Sequence, residues 1–361
     1  MIYDQATIGD DQEIAELLKE STMPGNIEIT FSRNPSFFNS VCVEGRSSDI
    51  IIGRDQRNKV KALGTRSVKT VFLNGQEMQM GYLSALRISP ENRTMKNLID
   101  GYAAIYKIHQ ENPADFYITS INAANDKARR ILESDKFKLP KYRYIGDYIS
   151  HAFRPGKCKT SKLYIIKQAD AEDLDMLLQF IHRQKEHYPL LPNYSKKDFN
   201  DGLLKRLKLA DISLCYRNNN LVGCMGLWDQ QSYKQNILQS YSRSLSLIRP
   251  LINVVSILSL HPKLPSPGKV VNAATIAIPI VADKEVDIYD ALLSTVLNRA
   301  SEKDHDLLLC GSNAQDPLQV SCKKRKSVSF NNRIYIVGWE EIDTQIQKTL
   351  SEYFYLEMGG L

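Results

Sequence analysis

Several features that mark specialised proteins are missing from this sequence of 361 residues. No cysteine pair has the Cys-x-x-Cys spacing and no histidine stands at metal-ligand spacing, so we predict no bound metal. The longest uncharged apolar stretches, residues 251–260 and 270–282, are shorter than the ~20 residues that a membrane-spanning helix needs, and no membrane association is predicted. The cysteines are predicted to be reduced thiols, and they are Cys42, Cys158, Cys215, Cys224, Cys310 and Cys322.

A strong charge of either sign is also missing. Lys and Arg number 47 against 41 Asp and Glu, a net charge of +6 that favours an anionic ligand but falls short of a nucleic-acid-binding composition. The amino terminus has no basic segment followed by an apolar one, so no secretion signal is predicted and we expect a cytoplasmic protein. With 43% apolar and 24% charged residues, the composition is that of an ordinary folded protein, and the length predicts two domains.

A repeat within the chain supports the expectation of two domains. Asp10 precedes apolar residues at helical spacing, and the same pattern returns 160 residues later at Asp170. Residues 115–123 resemble residues 306–314, which lie 191 residues further on. Two matches in the same order indicate a tandem duplication.

The unequal spacing of the two matches sets the predicted boundaries. The second copy is longer, and we place its insertion near 230–267, which we expect to pack against the other domain or a partner. A basic stretch with Pro and Gly at 154–161 is predicted to be a linker. The predicted domains are therefore 1–153 and 162–361.

Each copy is predicted to form a mixed sheet flanked by helices. In the first copy, short β-branched runs separated by turn residues, such as Asn74-Gly75, predict antiparallel hairpins, and the later strands alternate with helices. The order β-α-β-β-β-α-β-α-β implies strands that change from antiparallel to parallel within one sheet. The predicted fold class is α/β (α+β), with two such sheets in tandem.

One segment of the first copy carries a recognisable motif. An apolar strand ends at Ser89-Pro90, and Arg93 stands just before a predicted helix. This segment resembles the acetyl-CoA-binding motif of the GNAT N-acetyltransferases, and the stretch from Asn125 to Phe137 is similar to the next signature of that family. The amino end of a helix offers unpaired N–H groups and a partial positive charge, which suit the pyrophosphate of coenzyme A.

The resemblance implies two GNAT-like units and a set of acetyl-CoA contacts. Residues 93–98 would bind the pyrophosphate, the main chain of Leu86 and Ile88 would pair with the pantetheine arm, and Asn125 would meet that arm. Arg87 and Lys96 would add cationic contacts to phosphates. The residues so implied are Leu86, Arg87, Ile88, Arg93, Thr94, Met95, Lys96, Asn97, Leu98 and Asn125.

The sequence departs from the family pattern at several positions. Lys96 and Leu98 stand where the family has small residues, and Leu132 stands where a tyrosine commonly protonates the leaving thiolate. In the second copy, the equivalent loop at 283–287 carries three carboxylates, which would repel a pyrophosphate. The second copy is therefore predicted to be a degenerate unit.

These patterns favour an N-acyltransferase that moves an acetyl group from acetyl-CoA to an amine by direct attack. Glu28 and His151 are the candidate groups for proton transfer. The acceptor is left open as a small-molecule amine or a peptide, and the oligomeric state is left open, a dimer included. Two alternatives remain: a non-catalytic binding or scaffold protein, and an aminoacyl transferase that uses charged tRNA.

Overall fold

The computed structural model of the protein describes residues 1–20, 27–135, 137–259 and 262–361. In the first half, a run of consecutive strands is followed by strands that alternate with helices, as predicted. The strands are β1 (Ile2–Gln5), β2 (Ile27–Ser32), β3 (Ser47–Arg54), β4 (Val60–Leu73), β5 (Gln76–Ile88), β6 (Phe116–Asn122) and β7 (Lys141–Phe153). The helices are α1 (Asp11–Glu20), α2 (Phe37–Ser40), α3 (Met95–Glu111) and α4 (Asp126–Leu132).

The second half follows a similar order of elements. Its strands are β8 (Ile165–Gln168), β9 (Leu191–Pro192), β10 (Ile212–Arg217), β11 (Asn220–Trp228), β12 (Gln235–Tyr241), β13 (Ala273–Val281), β14 (Leu307–Asn313) and β15 (Ser327–Gly338). Its helices are α5 (Leu174–Arg183), α6 (Asp198–Asp201), α7 (Arg243–Ser259), α8 (Val286–Glu302), α9 (Gln319–Lys323) and α10 (Thr344–Glu352). None of the helices within the described ranges is both long and apolar enough to span a bilayer.

A single mixed sheet of 13 strands runs through the molecule, in the order β1-β3-β4-β5-β6-β15-β7-β14-β13-β11-β10-β8, with β9 paired to β4. The mixed α/β class is confirmed, but the two predicted sheets are joined into one. They are joined because the halves exchange their last strands: β15 lies between β6 and β7, and β7 lies between β15 and β14. Periodicity predicts that a segment is a strand, but not which strand it will pair with.

The exchange bears on the predicted division at 1–153 and 162–361, which stays a prediction. Ile334 and Ile336 of β15 are fully buried and pack with Met80 and Ile118 of the first half. The last strand of the second half is thus part of the core of the first half, and the two halves share main-chain hydrogen bonds as well as side-chain contacts.

The predicted turn and the predicted helix repeat are both present. Asn74 and Gly75 have φ angles of 51° and 75° and join β4 to β5 in a tight hairpin, because a type I′ turn needs positive φ at both positions. The helix repeat has a different register from the predicted one. Ile14 begins the buried positions of α1 and Leu177 begins those of α5, 163 residues later and not 160. A shift of three residues nearly preserves helical periodicity, which is why the sequence match misplaced it.

The predicted insertion at 230–267 joins the halves a second time, and its residues 260–261 lie outside the described residues. Strand β12 pairs antiparallel with β2 in a separate two-stranded sheet. Leu245 and Ile252 of α7 and Ile27 and Ile29 of β2 pack against one buried cluster, formed by Leu238, Tyr241 and Leu264. This part of the chain therefore packs on the other half, one of the two outcomes that we predicted.

Candidate functional site

The strands β5 and β6 separate in the middle of the sheet. They pair in parallel only from Met80–Phe116 to Tyr82–Ile118, although β5 continues to Ile88 and β6 to Asn122. Beyond the last pair, Ala85 has a φ of 53°, an unusual value for a residue with a side chain, and the pairing of β5 with β4 shifts in register there. The two strands thus leave a split whose β5 edge forms no further pairs with β6.

The β5 edge of the split already carries two arginine contacts. Arg87 Nη1 donates to the carbonyl of Leu86 at 2.8 Å, and Arg93 Nε donates to the carbonyl of Ile88 at 2.9 Å. A pantetheine arm that pairs with these carbonyls would have to share them with the guanidinium groups or displace them. The structure therefore brings the predicted residues Leu86, Arg87, Ile88 and Arg93 together at the mouth of the split.

Helix α3 begins beside this mouth. Thr94 caps the helix, because its hydroxyl accepts from the Asn97 N–H at 3.2 Å. Asn97 is buried and its Nδ2 donates to the Asn92 carbonyl at 2.7 Å, so it holds the turn before the helix. Leu98 packs in the core beneath α3, while Lys96 is exposed and pairs with Asp100 at 2.6 Å.

Of the predicted pyrophosphate contacts, those that lie exposed at the start of α3 are Arg93, Thr94 and Lys96; Met95 is half-buried. Asn125 lies at the start of α4, where its Oδ1 accepts from the Ala128 N–H at 3.2 Å. Its position as a helix cap is clear, and its predicted contact with the pantetheine arm stays a prediction.

The two predicted proton-transfer residues lie apart from the split. Glu28 is on the β2–β12 ribbon, where Ser240 Oγ donates to it at 2.6 Å. His151 is buried on β7, with Nε2 2.9 Å from Gln319 Oε1 and Nδ1 3.0 Å from Ser327 Oγ. Burial lowers the pKa of His151, which favours the neutral ring. Both ring nitrogens are engaged, so the geometry is that of a histidine that holds β7, β15 and α9 together.

A group of cations lies at the centre of the molecule, and we call it the central cationic cluster: Arg33, Lys69, Arg87 and Lys234. Sequence reasoning named Arg87, as a phosphate contact, and missed the other three. Lys69 is 6% exposed, and its side chain lies beside Met80 on the face of the sheet that packs on α10. Lys234 Nζ donates to the main-chain oxygens of Gly359 at 2.9 Å and Leu361 at 3.0 Å. Within the described residues, none of the four cations forms an ion pair.

Burial lowers the pKa of every member of this cluster. The pKa of Lys69 falls to about 8, because burial outweighs the attraction of Glu44 and Glu357. The pKa of Lys234 falls to about 7, through burial and then through the repulsion of Arg33 and Lys69. The pKa of Arg87 is lowered by burial and by the neighbouring charges of Arg33 and Arg93. Lys69 is buried and the other three cations are half-buried, so the cluster is a region of positive charge beside the split that is only partly open to solvent.

One buried carboxylate lies among these cations. Glu44 is 4% exposed, and Ser84 Oγ donates to its Oε2 at 2.5 Å. Ser84 directly precedes the bulge at Ala85, so Glu44 lies where the two strands have separated. Glu44 thus contacts one hydroxyl of β5 beside the bulge, and its charge acts on Arg33, Lys69 and Lys234.

No known family profile and no curated protein sequence matches the chain. Several solved structures do match. N-myristoyltransferase of Saccharomyces cerevisiae with bound myristoyl-CoA is 10% identical, with a TM-score of 0.58 over 93% of this chain and 82% of that chain. A GCN5-related N-acetyltransferase from Sphaerobacter thermophilus is 11% identical, with a TM-score of 0.55 over 94% of this chain and 96% of that chain.

A third similar structure is a fungal GCN5-related glucosamine N-acetyltransferase region. It is 10% identical, with a TM-score of 0.60, and the match covers 93% of this chain and 38% of that one. The chain has the GNAT fold. At these identities the likeness concerns the arrangement of strands and helices, and the split between β5 and β6 is the part of the GNAT fold to which the sequence motif points.

The second half of this GNAT-fold chain has its own split, between β13 and β14, and the carboxyl-terminal segment of the chain occupies it. β13 pairs with β14 only from Ala273–Leu307 to Thr275–Leu309, and Ile278 has a φ of 43°. The amide of Ile278 donates to Glu357 Oε2 at 2.8 Å. The carboxyl-terminal segment therefore lies against the bulge of β13, and the degenerate character of the second copy stays a prediction.

Neither Glu44 nor Lys69 carried a signal in the sequence. Lys69 stands in a long alternating strand, where an exposed lysine is the ordinary interpretation, and Glu44 stands in a short connection. Both are buried by contacts with distant parts of the chain: Ser84 of β5 contacts Glu44, and Gly360 of the carboxyl-terminal segment lies beside Lys69. Within the part of the chain that the structure describes, no cluster of three or more His, Cys, Asp or Glu side chains could hold a metal ion, and all six cysteines are free.

Proposed function

We propose that the protein is an acyl-CoA-dependent N-acyltransferase whose donor binds in the split between β5 and β6. The observation that carries the proposal is the separation of these strands after Tyr82–Ile118, with a bulge at Ala85 and the amino end of α3 at the mouth. The β5 edge offers hydrogen bonds to an extended arm, and the start of α3 offers N–H groups and a positive dipole to a pyrophosphate. Arg93, Thr94 and Lys96 are the proposed phosphate contacts.

The reaction that fits this arrangement is a direct transfer. The nitrogen lone pair of a neutral amine attacks the thioester carbonyl carbon, a C–N bond forms, the C–S bond breaks, and the electron pair leaves with the thiolate sulfur. The nitrogen gives up one proton, and we propose Glu44 as the group that takes it, because it is a buried carboxylate beside the bulge. The departing thiolate is stable enough to leave unprotonated, since thiols have a pKa near 8.5.

The acyl group that we propose is acetyl. A small cavity of about 20 Å³ lies between α3 and β5, lined by Leu86, Ile88, Leu98 and Ile105 among others. It has room for about one water molecule, and a long chain would need these side chains to move. The proposed acceptor is a small-molecule amine or a peptide amine.

A second candidate function is binding without catalysis. It is favoured by the contacts that Arg87 and Arg93 make to the carbonyls of Leu86 and Ile88, because these contacts occupy the edge that the donor would use. In that case the split would be a structural remnant, as it is at β13 and β14. A transfer assay separates the two functions.

The test measures release of free thiol from acetyl-CoA in the presence of a panel of amines. We expect thiol release that depends on the amine, and a turnover rate at least about a hundred-fold lower in Glu44→Gln, since general-base catalysis contributes two to four orders of magnitude. Glu352→Gln removes an exposed carboxylate on α10 and is the matched control. Amine-independent release, or equal rates in Glu44→Gln and wild type, would contradict the proposal.

A further inference from the structure

The central cationic cluster has more charge than its buried surroundings balance. Two side-chain carboxylates, Glu44 and Glu357, influence the pKa values of its four cations, so the positively charged side chains outnumber the negatively charged ones. Glu44 accepts from Ser84 at 2.5 Å, and Glu357 accepts from Tyr355 at 2.7 Å and from the Ile278 amide. Burying a charge without a counter-charge is costly, so a cluster with surplus positive charge is suited to an anionic ligand.

A second observation at the same place points to a ligand. Thr65 lies directly opposite Ser84 on the neighbouring strand and is 1% exposed, yet its hydroxyl has no hydrogen-bond partner in the described part of the chain. Lys69, on the same face of β4, is more than nine-tenths buried and forms no ion pair with a described residue. Buried polar groups are nearly always satisfied, so an unused donor beside surplus positive charge marks a binding site.

The sheet lies between this site and the proposed phosphate contacts at the start of α3. Lys69, Met80 and Tyr82 point to the α10 face, because directly opposed residues of β4 and β5 share a face. Helix α3 packs on the other face, through Tyr102 and Ile105. The cations Lys69 and Lys234 therefore lie across the sheet from the start of α3.

We propose that the central cationic cluster binds an anionic group, a carboxylate or a phosphate, of the amine acceptor. This inference rests on the proposed function and names the class of its acceptor: an amine that carries an oxyanion close by. Lys69 and Arg33 hold the anion, Thr65 donates a hydrogen bond, and Glu44 faces the amine. An acceptor with a negative charge beside its amine would thus have its anion on the cations and its nitrogen near the bulge at Ala85.

The experiment compares acceptors that differ only in this charge. Transfer from acetyl-CoA is measured with glycine against glycinamide, and with phosphoethanolamine against ethanolamine. We expect the anionic member of at least one pair to have a kcat/KM at least about ten-fold higher, the range expected for a charged hydrogen bond. The first pair reports a carboxylate and the second a phosphate. Equal or higher kcat/KM for both neutral amines would overturn the inference while leaving the proposed function in place.

A binding measurement makes the test independent of catalysis. Inorganic phosphate and acetate are titrated calorimetrically into the wild type, Lys69→Met and Lys348→Met, the last an exposed lysine of α10 as control. We expect one of the anions to bind the wild type and Lys348→Met equally, and Lys69→Met at least about ten-fold more weakly. Arg33→Gln, at a half-buried position, repeats the test if Lys69→Met does not fold. Absence of anion binding, or anion binding that coenzyme A displaces completely, would assign the cluster no acceptor role.

If acetyl-CoA neither binds nor reacts while an anion still binds to the cluster, the proposed function fails and the anion site stands. If acetyl-CoA reacts with neutral amines only, the proposed function stands and the acceptor role of the anion site fails. The two claims therefore fail separately.

Discussion

The amide of Ile278 donates to the carboxylate of Glu357 across 2.8 Å, at the bulge of β13. The same carboxylate accepts from the hydroxyls of Tyr355 at 2.7 Å and Tyr194 at 3.4 Å. The carboxyl-terminal segment is thereby fixed in the split of the second half. The segment then reaches the central cationic cluster, where Lys234 Nζ donates to the Gly359 carbonyl and Gly360 lies beside Lys69.

We predict that Glu357→Ala lowers the free energy of unfolding by about 1–3 kcal/mol, because a main-chain amide and two buried hydroxyls lose their acceptor. Urea denaturation measures the loss. Glu352→Ala, at an exposed position of α10, should change stability by less than about 0.5 kcal/mol. Equal stability of the two variants would mean that the segment does not depend on this contact.

Glu357 also makes the free energy of unfolding depend on pH. Burial raises the pKa of Glu357 above its ordinary value of 4.5, so the folded protein keeps this proton to a higher pH than the unfolded chain does. The unfolded state binds fewer protons in that window, and the contribution of Glu357 to stability falls as pH rises from about 4.5 to the raised pKa. Urea midpoints of wild type and Glu357→Gln across pH 4–8 should show this slope in the wild type only; parallel curves would contradict it.

Gly81 allows the base of the proposed donor split to close. A Cβ at this position would lie 2.1 Å from the ring of Tyr117, its partner across the β5–β6 pair. Gly81→Ala should therefore cost about 1–3 kcal/mol or more, as overpacking of a core does. At Gly156 a Cβ would meet no atom within 4 Å, so Gly156→Ala is the control and should leave the thermal midpoint unchanged. A neutral Gly81→Ala would show that the strands are not held at this distance.

Substitution of His151 distinguishes a structural role from the catalytic role that the sequence suggested. We expect His151→Phe to lose about 1–3 kcal/mol of stability, since Gln319 and Ser327 lose a buried partner. The rate of thiol release by the folded fraction should stay within about two-fold of the wild-type rate, because His151 lies outside the split. If a stably folded variant released thiol about a hundred-fold more slowly than the wild type, the catalytic role would be restored.

The strand exchange predicts that neither half folds alone. Residues 1–161 would lack β15, which pairs with both β6 and β7, and residues 162–361 would lack β7, which pairs with β14. Each fragment is expected to give the amide spectrum of an unfolded or aggregated chain. The two fragments mixed in urea and refolded together should recover the native circular dichroism. A well-folded fragment 1–161 would support the predicted domain boundary as a physical one.

The elements that the sequence predicted well are those coded by neighbouring residues. Asn74-Gly75 specifies its own turn, and the apolar positions of α1 and α5 specify their buried faces. The arrangement of the side chains beside the two splits depends on contacts between residues that are far apart in the sequence. Glu44 and Ser84 meet across 40 positions of the chain and Glu357 and Ile278 across 79, and no local pattern specifies either pair. The motif at 86–98 therefore located the split, and the structure was needed to find the charges beside it.

Hydrogen exchange of main-chain amides, measured with and without coenzyme A, tests whether the donor binds between β5 and β6 and at the start of α3. We predict that coenzyme A slows exchange at residues 83–88 and 93–98 and leaves residues 276–281 of the second split unchanged, since Glu357 already occupies that bulge. Binding of coenzyme A with protection confined to 276–281, or with no protection at 83–88 and 93–98, would contradict binding of the donor there.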